Sequence, residues 1–246
     1  MNSYRADLHI HSVLSPCGDL EMSPANIVKQ SAQKGLDVIA VTDHNHTGHA
    51  KLTRRLAATE GIWAVYGVEI TTREEVHCLA FFDTDEQLDR FQEEVDRYLP
   101  RVANDRELFG YQIIVDEKEQ ILKEISHSLY PGLNLDINDS CELVHELGGL
   151  FMPAHVDRSM NGLYAQLGIF PENFRPDAVE ISWRANKQDM LALHPELDRY
   201  QIFQSSDAHF IDDIGRSGCN IRMHTRSFKE LGMAVRGLKG RRMELE

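Results

Sequence analysis

The chain has no CxxC pair, no dense cysteine framework and no long apolar run. Its four cysteines stand apart, at Cys17, Cys78, Cys141 and Cys219, which argues against a disulfide-stapled scaffold and for a reducing compartment. No apolar stretch approaches the roughly 18 residues that a membrane span needs, and the first twelve residues offer neither a basic n-region nor an apolar h-region. The expectation is a cytoplasmic protein with no membrane partner. Basic residues are also in short supply: 26 Lys and Arg stand against 39 Asp and Glu, a formal net charge of -13. That balance argues against a surface that neutralises a long phosphate backbone, so no long duplex nucleic acid is expected as a partner. Small anionic substrates stay open, because bound cations can make one pocket positive inside an acidic protein. Low-complexity tracts, internal repeats and Pro/Gly/Ser linkers are absent too, so residues 1–246 read as a single domain.

What is present is a regular alternation. Short apolar runs rich in Val, Ile and Leu recur at Arg5–Ile10, Asp37–Thr42, Trp63–Glu69, Val76–Phe82, Leu150–Ala154, Asp177–Ser182 and Gln201–Ser206, the pattern of strands buried on both faces. Stretches of helical period lie between many of them. The first has Ser23 and Pro24 as N-cap and N1 and ends at Gly35; others span Gly48–Glu60, Asp85–Tyr98, Asp139–Leu147, Lys187–Leu193 and Ser227–Leu238. The alternation suggests βα units in one α/β domain, for which a barrel is a common form at this length. Residues 83–148 fit it least, with two long polar helices around a short run at Tyr111–Val115, and they predict a helical insertion near the barrel mouth.

Potential metal ligands fall at the C-terminal ends of these strands, the face on which barrel enzymes build their sites. His9 and His11 end the first strand, two residues apart and therefore on one face. Asp43 and His44 end the second, Glu69 the third, His155 the Leu150–Ala154 strand, and Asp207 with His209 the Gln201–Ser206 strand. His77 alone lies near the start of its strand. Carboxylates and imidazoles without a thiolate favour divalent zinc, manganese or iron. The remaining histidines read as ordinary: His46 and His49 at a helix start on the surface, and His127, His145, His194 and His224 without ligand partners. Cys17 reads as a free buried thiol.

Five motifs occur in order: His9-Ile10-His11, Thr42-Asp43-His44, Gly67-Val68-Glu69, Ala154-His155 and Asp207-Ala208-His209. In this the chain resembles the polymerase and histidinol phosphatase (PHP) superfamily, over most of its length. The resemblance implies a distorted (β/α)7 TIM-like barrel with two or three divalent metal ions at its C-terminal face. It also implies Asp19, five residues before Pro24, and His77, in the run Val76-His77-Cys78-Leu79, as further ligands. The implied set is His9, His11, Asp19, His44, Glu69, His77, His155, Asp207 and His209. Val156 stands where the family usually has proline after the Ala-His motif. The likeness is greater to small stand-alone phosphoesterases than to the polymerase-fused module.

The expected reaction is hydrolysis of a phosphate ester, of a nucleotide, short oligonucleotide or small phosphorylated metabolite, by a metal-bridged hydroxide. Glu69, as a bridging carboxylate, is expected to carry catalysis with Asp207 and His209, and Asp43 to orient His44. Arg158 and Arg216, in loops after ligand motifs, are the candidates to bind substrate phosphate. Two rivals remain. An amidohydrolase-type zinc enzyme would commonly place a lysine at a middle strand end, and none is there; a silent metal-binding module would usually have lost ligands.

Overall fold

The computed structural model describes all 246 residues. In chain order the elements are β1 (Asn2–Ile10), α1 (Pro24–Gln33), β2 (Val38–Val41), α2 (Ala50–Thr59), β3 (Trp63–Thr71), β4 (His77–Phe82), α3 (Asp85–Tyr98), α4 (Arg106–Phe109), β5 (Ile113–Val115), β6 (Ile121–Glu124), α5 (Ile137–Glu146), β7 (Leu150–Pro153), α6 (Leu163–Leu167), β8 (Val179–Glu180), α7 (Lys187–Leu193), β9 (Ile202–Phe203), β10 (Cys219–Met223), α8 (Phe228–Val235) and β11 (Arg242–Leu245). Local chemistry sets several boundaries. The Ser23 side chain accepts from the Asn26 N–H at the start of α1, with Pro24 in the first turn. Thr84 and Gln87 form a reciprocal capping box on α3.

Seven strands form one mixed sheet in the order β11-β10-β1-β2-β3-β4-β7. The parallel pair β8-β9 completes the curl. Asp177 N–H donates to Phe151 O at 2.8 Å and Val156 N–H to Glu180 O at 3.0 Å, joining β7 to β8, and His11 N–H donates to Ala208 O at 2.9 Å, joining β1 to the end of β9. Strands β1, β2, β3, β4, β7, β8 and β9 thus make a distorted, partly open seven-stranded barrel with helices outside it. Strands β10 and β11 extend the sheet beyond the amino-terminal half of β1. Outside, Ile39, Val41 and Ala64 pack with Ile27 and Val28 of α1 and Ala57 of α2, while Val38, Ala40, Val65, Leu79 and Phe81 share the inner cluster.

Two departures from regularity position the site. Strand β4 runs antiparallel to β3, pairing His77 with Thr71 and Leu79 with Glu69, so the first residue of β4 stands beside the last residues of β3. That explains why His77 begins its strand yet shares the ligand face. The pairing of β1 with β2 shifts register between Asp7 and Ile10, an irregularity of the kind that re-aims side chains at barrel rims. Residues 83–148 carry the expected helices as α3 and α5, with more than a short run between them. Between α3 and α5 they hold the β5-β6 hairpin as well as the short α4, and Ile113 and Val115 pack on Val13 in the loop after β1. No helix is long and apolar enough to cross a membrane.

Candidate metal centre

Glu69 is the hub. Its carboxylate is 1% exposed and has five imidazole nitrogens around it: His9 Nε2 at 3.3 Å, His155 Nε2 at 3.2 Å and His77 Nδ1 at 3.0 Å from Oε1, with His11 Nε2 at 3.2 Å and His44 Nδ1 at 3.1 Å from Oε2. Asp207 Oδ1 lies 3.5 Å from both His9 Nε2 and His11 Nε2. The ligand atoms fall into three overlapping groups: His9, His11 and Glu69; His44, Glu69 and His77; and His11, Cys17, His44 and His209. Within each, all atoms lie within 4.8 Å of one another.

Outer contacts aim these rings inward. His9 Nδ1 lies 3.0 Å from Glu180 Oε2, which also accepts from the His155 N–H at 3.0 Å. Ser15 Oγ donates to Asp43 Oδ1 at 2.8 Å and therefore accepts from His11 Nδ1 at 2.9 Å. His209 Nδ1 donates to the Asp207 carbonyl at 2.8 Å. In each ring Nδ1 is held by an acceptor, which leaves Nε2 as the nitrogen for a metal, on His9 and His11 once its proton is displaced. Asp43 reaches further than expected. It also accepts from Ser12 N–H and Ser12 Oγ, both at 2.7 Å; Ser12 Oγ in turn accepts from His49 Nδ1 at 2.7 Å, and His49 Nε2 accepts from the Val115 N–H at 3.0 Å. His44 is touched through its own N–H, which donates to Ser15 Oγ at 3.1 Å. His49 is thus fully buried, in place of the surface role expected for it.

Electrostatics separates the imidazoles. Burial lowers the pKa of His44, His77 and His209, the last to about 4, so these rings are neutral at pH 7 and free to ligate. Burial opposes charge on His11 as well, but hydrogen bonds to Asp207 and Glu69 override it and raise its pKa to about 9. His9 is raised too, burial being outweighed by Glu180 and Glu69. Burial likewise disfavours ionised Glu69 and Asp207, yet the surrounding histidines hold both carboxyls below their usual range. The backbone is strained at two of these positions: His155 has φ +28° and Asp207 φ +50°, a cost of about 1–3 kcal/mol each that the surrounding bonds must offset.

The donor set fits divalent cations. Imidazole lone pairs and carboxylates converge at ligand spacing, and buried Glu69 Oε2 and His44 Nδ1 lack a hydrogen-bond partner of good geometry. A divalent-metal site is therefore built into the C-terminal face of the barrel. Its cavity, of about 210 Å³, is lined by His11, His44, Glu69, His77, His155, Asp207 and His209 together with Cys17, Tyr130, Arg158, Met160 and Asn161. A larger open hollow of about 1000 Å³ beside α4 has no imidazole, and its Arg106 is paired with Glu124 at 2.6 Å; the chemistry resides in the smaller cavity.

Of the three remaining expected residues, Asp19, Arg158 and Arg216, one lines the cavity. Asp19 is outside all three ligand groups, and its Oδ1 accepts from the Glu21 N–H at 2.9 Å, while Cys17 stands inside one of them. Arg158 lines the cavity and pairs with Asp207 Oδ2 at 2.5 Å. Arg216 does not line it: its guanidinium donates to Ser206 O and Asp213 Oδ1, each at 3.0 Å, and lies over Trp183. Sequence reasoning missed Glu180. The available signal was a carboxylate inside an otherwise apolar run, a position that needs a partner when buried. Glu180→Gln is expected to weaken metal affinity about 10–100-fold. Titration against a chromophoric chelator checks this, and an unchanged affinity would remove the outer role given to Glu180.

The profile of the PHP domain matches residues 7–147, more than half of the chain. The chain belongs to the PHP domain family. Beyond the family, it is 32% identical over 118 residues to the uncharacterized protein YqxK of Bacillus subtilis, covering 46% of this chain and 29% of that one. The lesion-specific endonuclease EndoQ of Pyrococcus furiosus superposes with a TM-score of 0.76 at 22% identity, covering 98% of this chain and 58% of EndoQ. Endonuclease Q in complex with a 27-mer duplex, an abasic lesion at its active site, gives 0.73 at 21% identity with the same coverages. This PHP chain therefore spans less than a third of YqxK and about three fifths of EndoQ. The duplex complex overturns the expectation that long duplex nucleic acid is excluded. Net charge sums the whole surface, whereas a duplex is held by local patches of a fold.

Proposed function

We propose that the chain is a metal-dependent phosphoesterase working at the Glu69 centre, with two or three zinc, manganese or iron ions held by His9, His11, His44, Glu69, His77, His155, Asp207 and His209. The observation that carries this reading is the single buried carboxylate with five imidazole nitrogens within 3.3 Å. Divalent ions in such a site supply the charge neutralisation and nucleophile activation that phosphate-ester hydrolysis requires. The chain's own residues do the rest. Glu69 offers one oxygen to each half of the ring of histidines. Asp207 stays ionised and adds a second carboxylate at the cavity floor. His209, neutral at pH 7, acts as an acceptor and not as an acid. Arg158, its side chain about half exposed and anchored on Asp207, has a planar fork at the rim for the oxygens of phosphate that do not react.

Arg158→Ala is expected to raise KM for a phosphate monoester by about 10–100-fold, the worth of one hydrogen bond to a charged group, with Arg158→Lys recovering part of the loss. Steady-state kinetics on both variants checks it; an unmoved KM would take Arg158 out of phosphate binding.

A nuclease-type substrate is the second reading, favoured by what lines the mouth. Of residues 83–148 only Tyr130 lines the cavity, and Tyr130 and Met160, both exposed, stand at it. Exposed aromatic faces at a phosphate site suit bases stacked out of a helix. The experiment is metal-supplemented hydrolysis of p-nitrophenyl phosphate, bis-p-nitrophenyl phosphate, and intact and abasic duplex DNA, with Asp207→Ala as control. Equal turnover by parent and Asp207→Ala on every substrate would overturn the phosphoesterase reading; cleavage confined to the DNA would select the nuclease reading.

A further inference from the structure

Cys17 occupies a place that the hydrolytic reading does not use. The loop after β1 folds back sharply: Ser15 N–H donates to Ser12 O at 3.0 Å and Gly18 N–H to Ser15 O at 2.9 Å. A Cβ on Gly18 would lie 2.1 Å from Ser12 O, so only glycine permits the turn. Asp19 N–H then donates to His209 O at 2.9 Å, tying this loop to the one that carries His209. The result is a thiol within 4.8 Å of ligand nitrogens on His11, His44 and His209.

Two further observations point to a ligand here. His44 Nδ1 and Glu69 Oε2, on residues 4% and 1% exposed, have no hydrogen-bond partner of good geometry and line the same cavity as Cys17. Asp19, meanwhile, is turned to its own backbone turn. We infer that Cys17 is a thiolate ligand of the metal centre, in the place expected of Asp19, and that it biases the centre toward zinc or ferrous iron over manganese. Soft sulfur donors select zinc and iron, whereas manganese prefers oxygen. Cys78, Cys141 and Cys219 belong to none of the ligand groups, so a metal-bound thiolate in this chain is that of Cys17. The inference rests on the metal centre and stands apart from the reaction it performs.

The test is cobalt substitution read by absorbance, together with zinc and manganese affinities. Cobalt-loaded parent protein is expected to show a sulfur-to-cobalt charge-transfer band in the near ultraviolet that Cys17→Ser lacks. Cys17→Ser is expected to weaken zinc binding by at least about tenfold and manganese binding much less, and Cys17→Asp to bind manganese at least as well as the parent without the zinc preference. A parent protein that holds cobalt without the band overturns the inference, and so does a zinc-to-manganese ratio that Cys17→Ser leaves unchanged. The band is read without substrate. A cobalt protein that shows it but cleaves no phosphate ester keeps Cys17 as a ligand and removes the hydrolytic reading alone.

Discussion

Glu69→Gln is expected to strip the centre of metal and to lower kcat/KM for p-nitrophenyl phosphate by more than about 100-fold, the upper end of the loss from an outer-shell partner alone. The reason is arithmetic of charge. One negative group serves five imidazoles at 3.0–3.3 Å, and the amide that replaces it is neutral and presents one acceptor where there were two. His9 and His11, whose raised pKa values depend partly on Glu69, are left with Glu180 and Asp207. Removing one member of a buried charged set typically destabilises by about 3–5 kcal/mol. Elemental analysis of the purified variant, beside its kinetics, checks the prediction. Retention of the parent's metal content and rate would show that Glu69 is not the hub.

The second large effect is a reversal of pH dependence between metal-free and metal-loaded protein. His11 has its pKa raised to about 9 in the fold, against about 6.5 unfolded. A base with a raised folded pKa stabilises fully below its unfolded value and loses that contribution as pH rises through the folded one. The metal-free protein is therefore expected to lose on the order of 3 kcal/mol between pH 6.5 and 9 from His11 alone, about 6–12 °C in melting temperature. His9 acts in the same direction. Asp7, raised to about 6 by burial, and His209 at about 4 titrate mainly below that window. Cations compete with the protons on His9 and His11, so affinity should rise across the same window and the loaded protein should gain stability where the metal-free one loses it. Melting curves of chelator-treated and reconstituted protein at pH 6.5, 7.5 and 9 test this. A flat profile for the metal-free form would contradict the charged state given to His11.

The ligand face was legible because the pieces that build it are local. Each of His9, His11, His44, Glu69, His155, Asp207 and His209 follows an apolar run long enough to identify as a buried strand, and a barrel brings such ends together. His77 looked misplaced only because strand direction cannot be read from a run of apolar residues; the antiparallel β4 puts its first residue where the other strands have their last. Glu180 was hidden for a different reason. Its partners, His9 and the His155 backbone, are 171 and 25 residues away, and no local pattern encodes that pairing. Asp19 and Cys17 are two residues apart, and which one faces the cavity is decided by the fold-back at Gly18.

Strands at the periphery were harder to see. Cys219–Met223 alternates buried and half-exposed positions, a period of two that is a recognisable strand signal, but it is short and has no apolar run of the kind that marked the other strands. The β5-β6 hairpin had little to show: Ile121–Glu124 is exposed except at its end, so no apolar face marks it.

That hairpin has a bearing on how the protein could be shortened or recombined. Val115 donates its N–H to His49, and from there an unbroken series of hydrogen bonds runs through Ser12, Asp43 and Ser15 to His11. What looks like an accessory decoration is the far end of the support for one ligand ring. Swapping residues 111–125 for a short linker would remove the Val115 donor to His49 and hold His11 less firmly, so the insertion and the metal centre must travel together when this domain is grafted elsewhere.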